Sequence, residues 1–205
     1  MVDTLTFYTN PMSRGQIVRW MLEEVGARYE QVLLDYGTTM KGADYLAINP
    51  MGKVPSIKHG DHIITECAAI CAYLADAFPE AKLAPLPSER ANYYRWMFFT
   101  AGPVEAAVTN RALGFEVAAD KSMMAGYGSY DMMVSTLDDA VGAHDYICGP
   151  RFTAADVYVG SQVLWGLDFK NLPETPNFNA YAARLRQRPA YQKAKAIDAA
   201  LMPAG

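Results

Sequence analysis

A valine–proline pair at residues 54 and 55 constrains the fold of this chain more than any other feature. The surrounding segment 49–57 reads NPMGKVPSI, so Val54 and Pro55 stand directly before a short apolar strand. Cis X-Pro bonds are a minority in folded proteins and usually mark tight, fixed turns, and we predict one here. A cis bond would turn the backbone N–H and C=O of Val54 outward, where an extended peptide can pair with them like an added strand.

A second feature, the pair Glu66-Cys67, follows eleven residues after Pro55. We expect this pair to open the next helix, whose free N–H groups suit a carboxylate. An extended backbone that pairs with a ligand, beside a helix end that binds a carboxylate, meets the needs of a small peptide ligand.

The composition limits the class of protein. With 205 residues, 51% hydrophobic and 20% charged, the chain is typical of globular proteins with one large domain or two small ones. No apolar run is long enough to span a membrane and no signal segment is recognisable, so we expect a cytoplasmic protein without membrane contact. A net charge of −4 without a basic stripe argues against nucleic-acid binding. Three cysteines without ligand spacing predict reduced thiols and no metal site.

A proline-rich stretch divides the chain. Three prolines lie within residues 79–87, and because proline cannot continue a helix this stretch predicts a linker, assigned to 81–87. Before it, in residues 1–80, short β-rich runs alternate with helical spacing in the order βαβ–α–ββα, which predicts a small α/β layer on four strands. After it, in residues 88–205, the apolar spacing is helical throughout and predicts an all-α half.

Two local signals mark the helical half. Gly102-Pro103 interrupts the first long helical pattern and predicts a kink. Thr153 and Asp156, three residues apart at the start of a later apolar run, predict a capping box, with Phe152 and Val157 as a hydrophobic staple.

This arrangement resembles the glutathione transferase superfamily over essentially the whole chain. Three motifs carry the resemblance, namely Lys53-Val54-Pro55, Glu66-Cys67, and Thr153 with Asp156. The first is similar to the family's cis-proline loop, and the second stands where the family usually has Glu/Gln-Ser for the γ-glutamyl group. The third matches the family's folding box. The resemblance is to bacterial-type members with a serine-type activation motif.

The resemblance implies an α/β thioredoxin-like N-terminal domain that binds glutathione, followed by an all-α C-terminal domain that contributes a hydrophobic substrate site. It implies a homodimeric detoxification enzyme that adds the glutathione thiolate to a hydrophobic electrophile. Glutathione would be a co-substrate, with no cofactor and no metal. Two alternatives use the same scaffold: a glutathione-dependent peroxidase, dehalogenase or isomerase, and a non-catalytic glutathione-binding or regulatory protein.

Family members activate the glutathione thiol with a Tyr, Ser or Cys near the end of the first strand. The Pro-x-Ser-Arg pattern here is similar to the serine-type enzymes, which makes Ser13 the first candidate and Tyr8 its rival. A hydroxyl donor and a helix N-terminus would stabilise the thiolate, since a free thiol has a pKa of about 8.5. Ser13 can alternatively cap the helix, Tyr8 can line the core, and Asn10 can be an auxiliary donor or a turn residue.

The other glutathione contacts also follow from the resemblance. Glu66 would pair with the γ-glutamyl ammonium. Cys67 departs from the usual serine, and a thiol is a weaker donor than a hydroxyl, although the backbone N–H of Cys67 can still bind the carboxylate. Lys53 would reach the glycyl carboxylate, with Lys41 as a weaker candidate and a solvated surface role as the alternative.

The second substrate is expected between Ser13 and the kinked helix of the second domain. Aromatic and Met side chains at helical spacing more often belong to a core, so we expect only two or three of the candidates to face the site. The candidates are Met12, Met97, Phe99, Phe115 and Trp165.

Overall fold

The structure is a computed structural model that describes residues 4–202. Its contacts form two units. One holds the chain up to Ala84 together with the chain from Arg188 onward, and the other is Pro85–Gln187. The contacts thus group the C-terminal helix with the first unit, whereas the sequence placed residues 88–205 together. The division of roles between the two halves stays a prediction.

A mixed sheet organises the first unit. Its strands are β1 (Leu5–Thr9), β2 (Glu30–Leu33), β3 (Ser56–His59) and β4 (His62–Thr65). They lie in the order β2-β1-β3-β4, with β2 parallel to β1 and the β3–β4 hairpin antiparallel. In β1, Leu5, Phe7 and Thr9 are buried while the residues between them are half-exposed, so one face of the strand packs on the core.

The helices follow the predicted order. The α-helices of the described residues are α1 (Gly15–Val25), α2 (Ala43–Leu46), α3 (Cys67–Ala77), α4 (Arg90–Phe99), α5 (Glu105–Ala112), α6 (Tyr130–Gly142), α7 (Ala154–Asp168), α8 (Pro176–Arg186) and α9 (Pro189–Ala200). Helix α1 buries its apolar stripe, including Ile17 and Met21, and contacts α3. It ends at Gly26, whose φ of 65° suits glycine.

The helical signals of the second unit have clear structural counterparts. Where Gly102-Pro103 predicted a kink, residues Thr100–Val104 form a π-helical segment between α4 and α5. Pro103 lacks the N–H that a regular α-helical turn needs, which accounts for an irregular segment at this point.

The predicted capping box is present at the start of α7. The backbone N–H of Thr153 donates to Oδ2 of Asp156 over 2.9 Å. The N–H of Ile147 and the hydroxyl of Tyr181 donate to Oδ1 over 2.7 and 2.8 Å. Burial raises the pKa of Asp156 to about 6, and these donated hydrogen bonds oppose that rise. The motif therefore ties α7 to α8 and to the preceding loop as well as capping α7.

Helix α9 completes the first unit by packing on α1. The ring of Tyr191 meets Trp20 edge-on, with centroids 5.0 Å apart. Arg188 donates to both carboxylate oxygens of Glu24, over 2.6 and 2.7 Å. Within residues 4–202, no helix is both long and apolar enough to cross a membrane.

Candidate active site

The loop before β3 has the geometry that the sequence predicted. The Val54–Pro55 bond is cis, Pro55 is buried and Val54 is half-buried. Among the described residues, neither the backbone N–H nor the carbonyl of Val54 forms a hydrogen bond. One main-chain donor and one acceptor are therefore available to a ligand at this position.

Side chains in and just after α2 form hydrogen bonds with the backbone of this loop. The carbonyl of Lys53 accepts hydrogen bonds from the Tyr45 hydroxyl over 2.6 Å and from Nδ2 of Asn49 over 2.8 Å. Oδ1 of Asn49 also accepts the N–H of Met51 over 3.1 Å. Sequence reasoning missed both side chains. The signal for Asn49 was the Asn-Pro-x-Gly run, because Asn commonly bonds backbone two residues further on.

The two candidate lysines differ in their surroundings. Lys53 is exposed and makes no ion pair within the described part of the chain. Nζ of Lys41 donates to the carbonyl of Gly52 over 2.7 Å and lies 3.4 Å from that of Met51. Lys41 therefore stabilises the loop, and a contact of either lysine with a glycyl carboxylate stays a prediction.

Glu66 and Cys67 lie at the start of α3, as predicted. Glu66 is the N-cap residue with φ 67° and ψ 122°, a backbone conformation that non-glycine residues rarely adopt. Such backbone strain is concentrated at functional sites. The Glu66 carboxylate is exposed and has no partner among residues 4–202. Cys67 is 8% exposed, and its thiol donates to the carbonyl of Arg14 over 3.7 Å.

All three cysteines are free thiols. Burial raises the pKa of Cys71 well above its usual value and that of Cys148 to about 12. Neither is therefore a nucleophile at neutral pH. No group of three or more His, Cys, Asp or Glu side chains in the described ranges is placed to hold a metal ion.

Ser13 is bonded within its own turn. Its hydroxyl donates to the carbonyl of Asn10 over 2.6 Å and accepts the N–H of Gly15 over 2.9 Å. Asn10 is a turn residue, because its amide bonds the carbonyl of Leu34 over 2.8 Å and the N–H of Met12 over 2.9 Å. The N-cap residue of α1 is Arg14, so Ser13 lies one residue before the cap, although its hydroxyl accepts the N–H of the first helical residue. The role of Ser13 in activating a thiol stays a prediction.

Tyr8, the rival candidate, lies in β1 and is half-buried. Its ring packs against Tyr45, with centroids 5.6 Å apart, and against the cluster of Leu34 and Met40. Its hydroxyl has no hydrogen-bond partner within residues 4–202. The ring of Tyr8 therefore packs against its neighbours, while its hydroxyl is available to donate a hydrogen bond to a ligand.

Gly15, a further residue that sequence reasoning missed, allows α1 to start against the end of β1. A Cβ at Gly15 would lie 2.0 Å from Oγ1 of Thr9 and 2.9 Å from Oγ of Ser13. Thr9 is fully buried, so there is no room for a larger residue at Gly15.

The candidates for the hydrophobic substrate differ in exposure. Met97 is buried, with 4% of its surface exposed, and belongs to the core of the second unit. Phe99 and Trp165 are half-buried, whereas Met12 and Phe115 are each 65% exposed. A contact between any of these side chains and a substrate stays a prediction.

The first unit is a thioredoxin-like α/β layer with a cis-proline loop, and the chain continues into helices. This is the architecture of glutathione transferases. Residues 3–76 match the family model described as glutathione S-transferase, N-terminal domain. The chain is 31% identical over 161 residues to glutathione S-transferase GstA of Escherichia coli O157:H7. The aligned region covers 77% of this chain and 79% of that protein. The chain belongs to the glutathione S-transferase family.

Solved structures agree with this assignment. A glutathione transferase from Methylococcus capsulatus superposes with a TM-score of 0.78 at 28% identity, covering 96% of this chain and all of that one. A glutathione transferase homologue from Sulfitobacter, solved with bound glutathione, superposes with a TM-score of 0.74 at 26% identity, covering 98% of this chain and all of that one. The predicted fold class is confirmed.

Proposed function

We propose that this chain is a glutathione transferase that binds reduced glutathione and adds its thiolate sulfur to a hydrophobic electrophile. The observation that carries the proposal is the unpaired backbone of Val54 at the same end of the β3–β4 hairpin as Glu66. Ser56 pairs with Thr65 at the open end of that hairpin, so Pro55, which follows Val54, and Glu66 both leave the hairpin at this end. Membership of the family and the glutathione bound in the Sulfitobacter homologue support the same ligand.

In this proposal each part of glutathione meets a matching group. The backbone of Val54 pairs with the main chain of the cysteinyl residue, as in strand addition. The exposed Glu66 carboxylate binds the γ-glutamyl ammonium. The N-terminus of α3 at Cys67 binds the γ-glutamyl carboxylate, and Lys53 binds the glycyl carboxylate.

The thiol of glutathione needs a hydrogen-bond donor to ionise at neutral pH. Lowering its pKa by about two units requires about 2.7 kcal/mol, which a charge-assisted hydrogen bond and a helix end can supply together. Ser13 would have to release the carbonyl of Asn10 before it could donate to a thiolate. Tyr8 has no bond to release, and this observation favours Tyr8 over Ser13 as the activating residue.

Thiolate formation and conjugation test the proposal together. Glutathione is titrated into the protein across pH while thiolate absorption is recorded, and conjugation to an aryl halide such as chlorodinitrobenzene is then measured. We expect a saturable thiolate signal at neutral pH. Absence of binding by calorimetry would reject the proposal, and binding without thiolate or conjugation would favour the non-catalytic alternative.

Two matched variants identify the activating residue. Tyr8→Phe and Ser13→Ala each remove one hydroxyl. Tyr8→Phe breaks no hydrogen bond within residues 4–202, whereas Ser13→Ala breaks the bonds to the carbonyl of Asn10 and from the N–H of Gly15. The activating residue is the one whose loss lowers turnover by about a hundredfold or more while glutathione affinity changes little. An equal, small loss in both variants would leave the helix N-terminus as the main source of thiolate stabilisation.

The proposal includes a cytoplasmic homodimer. Helix α4 carries two large exposed side chains one turn apart, Tyr94 at 53% and Phe98 at 73% exposure, which is surface that a partner subunit can cover. Light scattering of the wild type and of Phe98→Glu tests this part. We expect a dimer in the wild type and a shift towards monomer in the variant, and a monomeric wild type would reject it.

A further inference from the structure

Three polar side chains bond the main chain of residues 51–53 and the hydroxyl of Ser56, and of these Tyr45 and Asn49 are buried whereas Lys41 is exposed. We name these three side chains the loop clamp. We propose that Tyr45 and Asn49 are positioning residues for glutathione, which hold the carbonyl of Lys53 so that the N–H of Val54 faces the ligand. This inference rests on the proposed function of the same site.

The peptide plane between Lys53 and Val54 has a fixed orientation. The Lys53–Val54 bond is trans, so the carbonyl of Lys53 and the N–H of Val54 point in opposite directions from the same rigid plane. The carbonyl is directed at Tyr45 and Asn49, which are only 3% and 5% exposed. The N–H of Val54 therefore points away from Tyr45 and Asn49.

Two donors on one carbonyl make this orientation hard to change. A carbonyl oxygen has two lone pairs, and here each accepts one hydrogen bond from the clamp. Rotating the plane would break both bonds and leave the buried Asn49 amide group without this acceptor and the Tyr45 hydroxyl with Ser56 as its remaining partner, which is costly. The plane is thus fixed before any ligand arrives.

The Tyr45 hydroxyl has a defined role in this network. Burial raises the pKa of Tyr45, so the phenol keeps its proton at neutral pH. It donates that proton to the carbonyl of Lys53, and Oγ of Ser56, 3.0 Å away, therefore donates to it in turn. Tyr45 thus joins both sides of the cis Val54–Pro55 bond.

Lys41 and Asn49 hold the preceding turn. Nζ of Lys41 donates to the carbonyl of Gly52, whose φ is 58°. A Cβ at Gly52 would lie 2.9 Å from that Nζ and 3.0 Å from the carbonyl of Met40. Consecutive carbonyls of the turn are therefore anchored by clamp side chains, and the ligand-pairing edge is preorganised. Preorganisation raises affinity because little ordering remains for the ligand to impose.

Tyr45→Phe tests the inference with the smallest change, since the ring and its packing stay. Asn49→Asp replaces the amide donor with an acceptor and keeps the bond to Met51. Tyr29→Phe is the matched control, because its hydroxyl bonds Arg19 and Glu23 and no part of the loop. Should Tyr45→Phe not fold, Asn49→Ser addresses the same carbonyl.

Each variant is measured in two ways. Calorimetry and steady-state kinetics give the dissociation constant and KM for glutathione and kcat at saturation. We expect about a fivefold rise in the dissociation constant and KM in Tyr45→Phe and in Asn49→Asp, with kcat unchanged, and no rise in Tyr29→Phe. A general loss of stability would instead lower the active fraction and leave KM unchanged.

The second measurement needs no ligand. Amide hydrogen exchange of peptides covering residues 51–56 should be faster in Tyr45→Phe than in the wild type and unchanged in Tyr29→Phe. Unchanged exchange and unchanged affinity in Tyr45→Phe would overturn the inference. Failure of the wild type to bind glutathione would reject the proposed function and with it the role of the clamp in ligand binding. Faster exchange in Tyr45→Phe would then show only that the clamp stabilises the loop.

Discussion

Nε of Arg19 on α1 donates to Oδ1 of Asp198 on α9 over 2.6 Å, and the two side chains are only 1% and 2% exposed. The remaining guanidinium nitrogens of Arg19 bond the hydroxyl of Tyr29 and Oε1 of Gln31. Burial raises the pKa of Asp198, and the charge of Arg19 opposes that rise. A buried ion pair thus joins the C-terminal helix to the core of the first unit.

Breaking this pair should destabilise the protein strongly. Asp198→Ala leaves the guanidinium of Arg19 buried without a counter-charge, and such a change costs about 3–5 kcal/mol. Urea unfolding measures the loss. The control is Arg186→Ala, which breaks a pair with Asp168 that is about half exposed and should cost less than about 1 kcal/mol. Equal losses in the two variants would contradict a structural role for the buried pair.

Asp156 should make stability depend on pH in an unusual direction. Its pKa is about 6 in the folded protein, above the ordinary 3.8. Between these values the folded state holds the proton more tightly than the unfolded chain does. The contribution of Asp156 to the free energy of unfolding therefore falls as pH rises through this window, by at most about 3 kcal/mol.

The contribution of Asp156 is measured as the difference in unfolding free energy between the wild type and Asp156→Asn at pH values from about 4 to about 6. The difference between the two proteins should fall as pH rises from about 4 to about 6. Tyr181→Phe removes one donor from the carboxylate and should extend the fall to higher pH. A difference that stays flat with pH over this window would mean that the donated hydrogen bonds at least balance the effect of burial on the pKa of Asp156 in the folded state.

Gly15 should tolerate no side chain. In Gly15→Ala the new methyl group would lie 2.0 Å from Oγ1 of Thr9, and relieving this overlap should cost about 1–3 kcal/mol and displace Ser13. Gly102→Ala is the control, because nothing lies within 4 Å of its Cβ and alanine favours helix. Denaturation and glutathione affinity are measured for both, and a Gly15→Ala protein as stable as the wild type would contradict the crowding.

Structural features that arise from neighbouring residues were predictable from the sequence, whereas features that join distant residues were not. The cis bond before Pro55 and the capping box of Thr153 and Asp156 were predictable, because each arises within a few residues. The pairing of Arg19 with Asp198 joins residues 179 positions apart, and no local pattern announces it. The hydroxyl of Ser13 illustrates the same limit within the site, since its acceptor is a backbone carbonyl that no side-chain motif identifies.

Replacing Cys67 tests how much the thiol at this position lowers the proposed affinity for glutathione. In Cys67→Ser a hydroxyl, the stronger donor, replaces the thiol at the start of α3. We expect glutathione to bind about fivefold more tightly, since a hydrogen bond to a carboxylate contributes about 1 kcal/mol or more, and kcat to change little. Calorimetry measures the change in affinity.

Cys71→Ser separates this effect from the general effect of a hydroxyl in α3. Cys71 is fully buried, so its serine hydroxyl should cost about 1–3 kcal/mol of stability and bring no gain in affinity. Unchanged or weaker binding in Cys67→Ser would mean that the side chain at this position does not contact the γ-glutamyl carboxylate. The backbone N–H groups of α3 would then be the carboxylate's contacts, and the thiol bonded to the carbonyl of Arg14 would serve only to join α3 to the turn before α1.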